Sequence, residues 1–294
     1  MITKDILKKV RRIEIKTRGL VNNIFSGEYH TVFKGRGMSF SEVREYQFGD
    51  EVRFIDWNVS ARMDRPYLKV FEEEREQTLM VLFDASASGN FGTVKQTKSE
   101  MMIEMAALIA FSAIKNNDKV GLLIFTDTVE KFIPPKKGKS HVLRLIRELL
   151  TFKPQHRATK ISSALEYALH VLNRRSIVFL MSDFMDKGYD RSLRAVARKH
   201  DLVAIRIYDR REKEMPDVGI VVLEDEETGD MIELDTSAKS VRESVTKQAE
   251  ARIKAQSDIL RKSKVDLIDM ATGSDYVEAL IQFFKNREKR QQRG

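Results

Sequence analysis

The chain has 294 residues, of which 42% are hydrophobic, and it contains no cysteine. This composition is too apolar for a disordered protein, and it excludes disulfides and thiolate metal sites. The net charge of +8 comes mostly from the two ends, because residues 1–18 carry seven Lys or Arg against two acids and residues 285–294 carry five against one. Such ends are typical of solvated helix faces, and they leave open binding to nucleic acid, to an acidic membrane or to an acidic protein.

The first predicted element is an amphipathic helix over residues 2–24, with Ile6, Val10 and Ile13 on one face. A glycine- and charge-rich segment follows and shows little periodicity up to Tyr67. Strands are then predicted near residues 67–73, 78–84, 119–125, 129–133, 176–182, 202–208 and 264–270. Helices are predicted near residues 95–116, 139–152, 161–174, 189–199, 239–262 and 275–288. Gly229 predicts the turn of a hairpin over residues 219–235.

The most apolar stretch, residues 101–114, contains Glu104 and is shorter than the ~20 apolar residues that span a bilayer. It therefore predicts a buried helix, and we expect no membrane span. The basic N-terminus lacks the continuous apolar core of a secretory signal. Together with the lack of cysteine, these features favour a cytoplasmic location.

The strand sequences VGLLIF and SIVFLM are continuous apolar runs separated by helical patterns. Continuous runs indicate strands that are covered on both faces. The sequence therefore predicts an α/β, Rossmann-like fold in which a mostly parallel sheet is sandwiched by helices. Residues 1–74 are predicted to form an N-terminal helix and a loop-rich accessory segment, and residues 75–294 the sheet domain.

The sequence DASAS at residues 84–88 lies between the first strong strand of this pattern and its first long helix. Ligands of such sheets bind beyond the carboxyl ends of the strands. Asp84, Ser86 and Ser88 offer three small oxygen ligands at alternating positions, as Mg2+ prefers. The same residue types are ordinary in turns and helix caps, so the motif alone is typical of either role.

Two later loops offer matching oxygens. Thr159 lies just before a predicted helix, and Asp183 follows an apolar strand at the same predicted edge of the sheet. Each residue by itself is more typical of a helix cap than of a metal ligand. Together with the DASAS motif they form a set of five oxygen-bearing side chains on three loops.

The sequences DASAS, ATKISSAL and FLMSDF resemble the three loops of a von Willebrand factor A-type domain. In that family, Asp-x-Ser-x-Ser, a Thr and an Asp build a metal-ion-dependent adhesion site. The resemblance implies that Ser86 and Ser88 bind Mg2+ or Mn2+ directly, that Thr159 binds it directly or through water, and that Asp84 and Asp183 bind it mostly through water. One coordination position would stay open for a carboxylate from a partner.

The sequence departs from the common pattern of these loops at several positions. Arg157 and Ala158 precede Thr159 where Gly-Gly is frequent, and Phe184 follows Asp183 where Gly is frequent. None of these departures removes an oxygen ligand. Arg157 would lie near the rim of the site, where it would weaken cation binding or attract an acidic partner.

The upstream segment is similar to the signature of the bacterial family called domain of unknown function fifty-eight. The matching residues are Gly35, Arg36, Gly37, Phe40, Glu42, Arg44, Tyr46, Gly49, Asp50, Arg53, Ile55, Asp56, Trp57, Ser60, Ala61 and Arg62. Members of that family pair this segment with an A-type domain and are commonly associated with MoxR-type AAA+ ATPases. The resemblance thus implies an A-type domain over residues 75–294 and a non-catalytic, metal-dependent interaction module. Its expected partners are a MoxR-type ATPase and a client protein that bears an acidic residue.

The accessory segment contains the single tryptophan, Trp57. With Phe40, Phe54 and Ile55 it is predicted to form a hydrophobic plug that fastens the segment to the sheet domain. Four arginines of the segment alternate with acidic residues, which predicts internal ion pairs or a docking surface for a partner. The residues are Arg36, Arg44, Arg53 and Arg62, with Glu42, Asp50 and Asp56.

Enzymatic alternatives find little support in the sequence. The five histidines lack zinc-ligand spacing, and the chain contains neither a Gly-x4-Gly-Lys-Ser/Thr loop nor a Gly-x-Ser-x-Gly motif. We therefore expect no catalytic activity. The alternative function is a basic nucleic-acid-associated protein that uses its cationic ends, although no stacking aromatics lie among the basic residues.

Overall fold

The structure is a computed structural model that describes residues 4–21, 38–73, 76–93, 96–224 and 229–292. Its helices are α1 (Lys4–Leu20), α2 (Trp57–Met63), α3 (Lys98–Lys115), α4 (Lys139–Thr151), α5 (Ile161–Val171), α6 (Asp190–Lys199), α7 (Lys239–Lys262) and α8 (Tyr276–Gln292). Its strands are β1 (Met38–Glu45), β2 (Tyr67–Glu73), β3 (Thr78–Asp84), β4 (Lys119–Phe125), β5 (Val129–Lys136), β6 (Ile177–Ser182), β7 (Asp201–Tyr208), β8 (Ile220–Glu224), β9 (Met231–Asp235) and β10 (Asp266–Ala271). Short 3-10 helices span Val52–Phe54, Ala87–Asn90 and Arg210–Glu212.

Six strands form the central sheet in the order β10-β7-β6-β3-β4-β5. All neighbouring pairs are parallel except β4 and β5, which are antiparallel. The prediction of a mostly parallel sheet is therefore confirmed. The chain leaves β3 towards β4 on one side and later returns to β6 on the other, so the strand order reverses beside β3.

Helices cover both faces of this sheet, which explains the continuous apolar strands. Along β3, Leu79 and Val81 pack into one core with α1, α3, α4 and α8. Met80 and Leu82, at the alternate positions, pack into a second core with α5, α6 and α7. Because successive side chains of a strand point to opposite faces, a strand buried on both sides needs apolar residues throughout.

The N-terminal helix α1 belongs to the first of these cores. Ile13 and Val21 are buried there, and Lys16 donates a hydrogen bond to Glu104 of α3 at 2.7 Å. Lys139 of α4 forms an ion pair with Glu14 at 2.6 Å. Part of the cationic N-terminus is thus paired with the sheet domain rather than free in solution.

The accessory segment forms a small unit of its own around the antiparallel pair β1 and β2. Ile55 bridges to Leu68, which is buried, and Asp56 caps α2 by accepting hydrogen bonds from the backbone N–H groups of Asn58 and Val59. Arg44 binds both oxygens of Asp50, at 2.7 and 2.8 Å. These contacts confirm internal ion pairing for Arg44; residues 35–37, and so Arg36, lie outside the described residues.

The predicted tryptophan plug is wrong. Trp57 is 67% exposed, and Phe54 and Ile55 are only half-buried. The reason is that Trp57 begins a helix of seven residues that contains no buried residue, whereas Leu68 of β2 is buried. The side chain of Phe40, the fourth predicted member, lies outside the described residues.

The predicted elements from residue 67 onwards agree with the observed ones to within a few residues. The hairpin over residues 219–235 is confirmed as β8 and β9, and Gly229 has a φ of 78°. Strand β1 and helix α2 were not predicted. The apolar stretch at residues 101–114 is confirmed as a buried part of α3. In the part of the chain that the structure describes, no helix is long and apolar enough to cross a membrane.

Candidate metal site at the carboxyl edge of the sheet

The sheet brings Asp84 and Asp183 to the same edge. Asp84 is the last residue of β3, and Asp183 directly follows β6. These two strands are parallel neighbours, with Phe83 beside Met181. Their carboxyl ends meet where the strand order reverses, which is the usual position of a ligand site in open α/β sheets.

The DASAS turn is held by hydrogen bonds to Asp84, which is buried. Its Oδ1 accepts from the backbone N–H of Ser86 at 2.9 Å, and its Oδ2 accepts from the Ser182 hydroxyl at 2.6 Å. The Oγ atoms of Ser86 and Ser88 lie 3.1 Å apart. The turn therefore gathers a carboxylate and two hydroxyls at one point, and Ser182 fixes the carboxylate from the neighbouring strand.

The other two loops are tied to each other and to this turn. The backbone N–H of Ala87 donates to the carbonyl of Arg157 at 3.0 Å, and Asp186 accepts from the N–H of Ile161 at 2.7 Å. These bonds place Thr159, which is half-buried, on a loop that adjoins the DASAS turn.

Four of the five predicted ligands line one pocket. They are Asp84, Ser86, Ser88 and Asp183, and Gly89, Lys98, Met102 and Ile207 complete its wall. Thr159 is not among the lining residues of this pocket. The structure therefore brings four of the predicted ligands together and places the fifth on the adjoining loop.

Lys98 also reaches this pocket, although no sequence pattern singled it out. It is the first residue of α3, and its side chain is 2% exposed. The ammonium Nζ lies 2.7 Å from Oδ2 of Asp183 and 2.6 Å from Oε1 of Glu212. Burial acts to lower the pKa of Lys98, but these two carboxylates outweigh it and raise the pKa above its usual value.

Asp84 has a perturbed acidity. Burial, with the nearby charge of Asp183, raises the pKa of Asp84 to about 7. Hydrogen bonds from Ser182 and Ser86 act in the opposite direction but do not cancel the effect. Two neighbouring carboxylates in a buried place are a common feature of cation sites and other functional sites.

Glu212 is fixed by a second polar cluster around Asp209. Asp209 is fully buried and accepts from the N–H and hydroxyl of Thr93, at 2.9 and 2.7 Å, and from the Thr272 hydroxyl at 2.7 Å. Burial opposes ionisation, yet these donors lower the pKa of Asp209 to about 2. The backbone N–H of Asp209 donates to Oε2 of Glu212 at 3.1 Å, so the Glu212 carboxylate has a defined place beside Lys98.

Phe184 adopts a left-handed backbone conformation, with a φ of 60°. This is the position where the A-type pattern frequently has Gly, and the conformation explains that preference. Its ring is fully buried against Tyr189, and its carbonyl accepts from Nε2 of Gln256 at 2.6 Å. The departure from Gly thus leaves the backbone after Asp183 in the conformation that Gly would adopt.

The donor set fits a hard divalent cation. Ligands at about 2.1 Å in an octahedron have neighbouring oxygens about 3.0 Å apart, and the Ser86 and Ser88 hydroxyls are 3.1 Å apart. Within the described residues, no group of three or more His, Cys, Asp or Glu side chains could hold a metal. A metal in this pocket would therefore depend on the hydroxyls as much as on the carboxylates.

The order of the strands and the helices on both faces of the sheet define a von Willebrand factor A-like fold. The chain belongs to the family described as "Protein of unknown function DUF58", whose model matches residues 42–255. An uncharacterized protein of Mycobacterium tuberculosis (strain ATCC 25618 / H37Rv) is 29% identical over 285 residues, which are 95% of this chain and 89% of that protein.

Two solved structures show the extent of the structural similarity. An aerotolerance-related membrane protein from Bacteroides fragilis NCTC 9343, with multiple mutations to serines, aligns with a TM-score of 0.50 and 14% identity. That alignment covers 73% of this chain and 99% of the other, and it shows the shared fold alone. Proximal thread matrix protein 1 from the mussel byssus, with a zinc-occupied MIDAS motif, aligns over 45% of this chain and 38% of its own, at 20% identity and a TM-score of 0.37.

Proposed function

We propose that this chain is a non-catalytic, metal-dependent protein-interaction module. It binds Mg2+ or Mn2+ at Asp84, Ser86, Ser88 and Asp183, with Thr159 on the adjoining loop, and it acts beside a MoxR-type AAA+ ATPase in the assembly or activation of a client protein. The observation that carries this proposal is the meeting of four predicted ligands in one pocket at the carboxyl edge of the sheet.

The side chains of the pocket have separate roles in this proposal. The hydroxyls of Ser86 and Ser88 bind the cation, while Asp84 and Asp183 supply negative charge and hold water. When bound, the cation supplies an open coordination position for a carboxylate of the partner. Because the direct protein donors are neutral hydroxyls, the cation keeps its affinity for a further carboxylate and so selects acidic partners.

Two features support the choice of partner. The segment at residues 35–62 resembles a family that is commonly associated with MoxR-type ATPases, and the chain has no phosphate-binding loop of its own. Exposed groups that suit a protein interface also lie on the accessory unit, where Trp57 is 67% exposed and Phe48 is fully exposed. Exposed aromatic residues are frequent energetic centres of interfaces.

Nucleic-acid binding through the cationic ends has less support. Lys16 pairs with Glu104, Arg287 with Asp201 and Arg290 with Asp266. Each of these pairs neutralises a charge that the alternative requires to contact phosphate.

The proposal is tested by capturing the partner ATPase or its client with the full chain at two salt concentrations, with and without EDTA. Association should weaken at least thirtyfold in EDTA and in a Ser86→Ala, Ser88→Ala variant, because losing one member of a desolvated charge pair costs about 2–5 kcal/mol. The matched control is Ser237→Ala, which removes a hydroxyl from an exposed turn far along the chain from the site loops. Association that persists in EDTA but fades steeply with salt would reject the metal-dependent mechanism in favour of the charged ends.

A further inference from the structure

Lys98 occupies a position that is unfavourable for a cation unless acidic groups surround it. Its side chain is 2% exposed, so the ammonium has lost most of its hydration. It also lies in the first turn of α3, where the helix dipole and the free N–H groups favour negative charge. The contacts with Asp183 and Glu212 compensate for both costs.

The ammonium engages one of the carboxylates that the metal would use. Oδ2 of Asp183 accepts from Lys98 at 2.7 Å, and Oδ1 accepts from the backbone N–H of Met185 at 3.2 Å. Both oxygens of Asp183 therefore already have donors. A divalent cation would have to share Oδ2 with the ammonium or replace it, and two cations that share one buried oxygen repel each other strongly.

Glu212 is a second carboxylate partner for the Lys98 ammonium. It lies 2.6 Å from Nζ, and the backbone N–H of Asp209 holds its other oxygen at 3.1 Å. Glu212 is half-buried and does not line the pocket that holds the serines, so a lysine that leaves Asp183 keeps a carboxylate partner outside the pocket. The exchange would thus not leave an unpaired buried charge.

We infer that the Lys98 ammonium is the resident cation of this site, and that a divalent cation binds by displacing it from Asp183 towards Glu212. The inference rests on the proposed function, since it concerns how the proposed metal site is regulated. Its consequence is that the site exists in two states, one closed by Lys98 and one occupied by the metal, and only the second presents a coordination position to a partner. Glu212 belongs to the 3-10 helix that follows β7, so the displaced ammonium would pair with that segment.

The test is titration calorimetry of the full chain with Mn2+ and with Mg2+. Lys98→Met should lower the Kd for Mn2+ at least tenfold, because the competing charge is gone. Lys160→Met is the matched control, since it removes an exposed lysine beside Thr159, and its Kd should stay within twofold of the wild type.

The Glu212→Gln variant distinguishes displacement of Lys98 towards Glu212 from a general effect of the Glu212 charge on the affinity for the metal. It should raise the Kd at least threefold in the wild-type background, because the displaced ammonium loses its second partner. In the Lys98→Met background the same change should have a clearly smaller effect, since no ammonium remains to be received. Equal effects of Glu212→Gln in both backgrounds would show that Glu212 acts through simple charge and would overturn the displacement.

A measurement on the wild type covers the case in which Lys98→Met does not fold. In protein with 15N-labelled lysine side chains, the Lys98 Nζ signal is assigned by its shift in Glu212→Gln. Saturating Mg2+ should move this signal and speed its exchange with water. Binding of Mg2+ with the Lys98 signal unmoved would overturn the inference.

The remaining outcomes separate this inference from the function on which it rests. If Ser86→Ala with Ser88→Ala abolishes binding, while Lys98→Met binds Mn2+ no more tightly than the wild type, the inference is wrong and the proposed metal site stands. If neither ion binds to the wild type or to Lys98→Met, both are wrong.

Discussion

A contribution of one buried histidine, His200, to the stability of the fold should be lost between pH 6.5 and pH 4. His200 lies between α6 and β7 and is 2% exposed. Its Nδ1 accepts from the backbone N–H of Ser176 at 3.3 Å, and its Nε2 is buried without a hydrogen-bond partner in the described part of the chain. Burial, with repulsion from Lys199 and Arg175, lowers the pKa of His200 to about 4.

The stabilising contribution of His200 is lost towards acid pH because protonation of this side chain favours the unfolded chain. The unfolded chain takes up a proton near pH 6.5, but the folded chain does so only near pH 4, so the unfolded state holds more protons between these values. The stabilising contribution is complete above pH 6.5 and is lost as the pH falls through this window. The difference of about 2.5 pKa units corresponds to roughly 3 kcal/mol in total, and about 2 kcal/mol of it is already lost at pH 5.

Urea unfolding at pH 7.5, 6.5, 5.5 and 5.0 measures this loss. Other groups titrate over the same range, so the wild type is compared with His200→Asn, whose amide oxygen can still accept from Ser176. Relative to the wild type, His200→Asn should gain about 2 kcal/mol of stability between pH 7.5 and pH 5, because Asp84 and the other titrating groups act equally in both proteins. His170→Asn removes an exposed histidine, and its difference from the wild type should stay constant over the same range. Equal pH dependence in the wild type and His200→Asn would refute the reasoning.

Two further predictions concern stability at neutral pH. Trp57→Ala should change the free energy of unfolding by less than about 0.5 kcal/mol in urea melts, because the side chain is 67% exposed, and a cost of 3 kcal/mol or more would contradict its placement. Asp269→Ala should cost roughly 3 kcal/mol, because it removes the bidentate partner of Arg206, whose side chain is 2% exposed. Asp258→Ala is the matched control, since its partner Arg261 is 78% exposed, and it should cost less than about 1 kcal/mol; equal costs would show that burial of Arg206 is unimportant.

The sheet domain could be predicted from the sequence because its strands are short, continuous apolar runs. Strand β3 was predicted at its exact bounds, since burial on both faces leaves only apolar residues from Leu79 to Phe83, between Thr78 and Asp84. Strand β1 was missed because its register shifts between Phe40 and Glu42, which breaks the alternation that marks a half-buried strand. Helix α2 has seven residues, too few for a helical period to be visible.

The site could be predicted only in part. Asp84, Ser86, Ser88 and Asp183 were found because each lies at the end of an apolar strand, so the topology of the sheet alone brings them together. Lys98 gave no such signal. A lysine at the start of a helix is typical of a solvated surface, and its burial depends on carboxylates that lie 85 and 114 positions away in the sequence.

Trp57 was predicted to be buried, but it is exposed. A single tryptophan among apolar neighbours favours burial, because its large side chain gains most from leaving water. In this chain Leu68 is buried in the accessory unit, and the helix that begins with Trp57 contains no buried residue. Composition favoured burial of Trp57, whereas the local packing exposes it and buries Leu68.

The most direct test of the metal site is the melting temperature of the full chain at rising Mn2+ concentration. At a hundred times its Kd, a cation that binds only the folded state adds about 2.7 kcal/mol of stability, which is a rise of roughly 5–10 °C for a domain of this size. We expect this rise in the wild type and its loss in Ser86→Ala with Ser88→Ala, which leaves the buried Asp84–Ser182 contact intact. A wild type whose melting temperature does not respond to saturating Mn2+ or Mg2+, or a double variant that responds equally, would contradict a metal site at the carboxyl edge of this sheet.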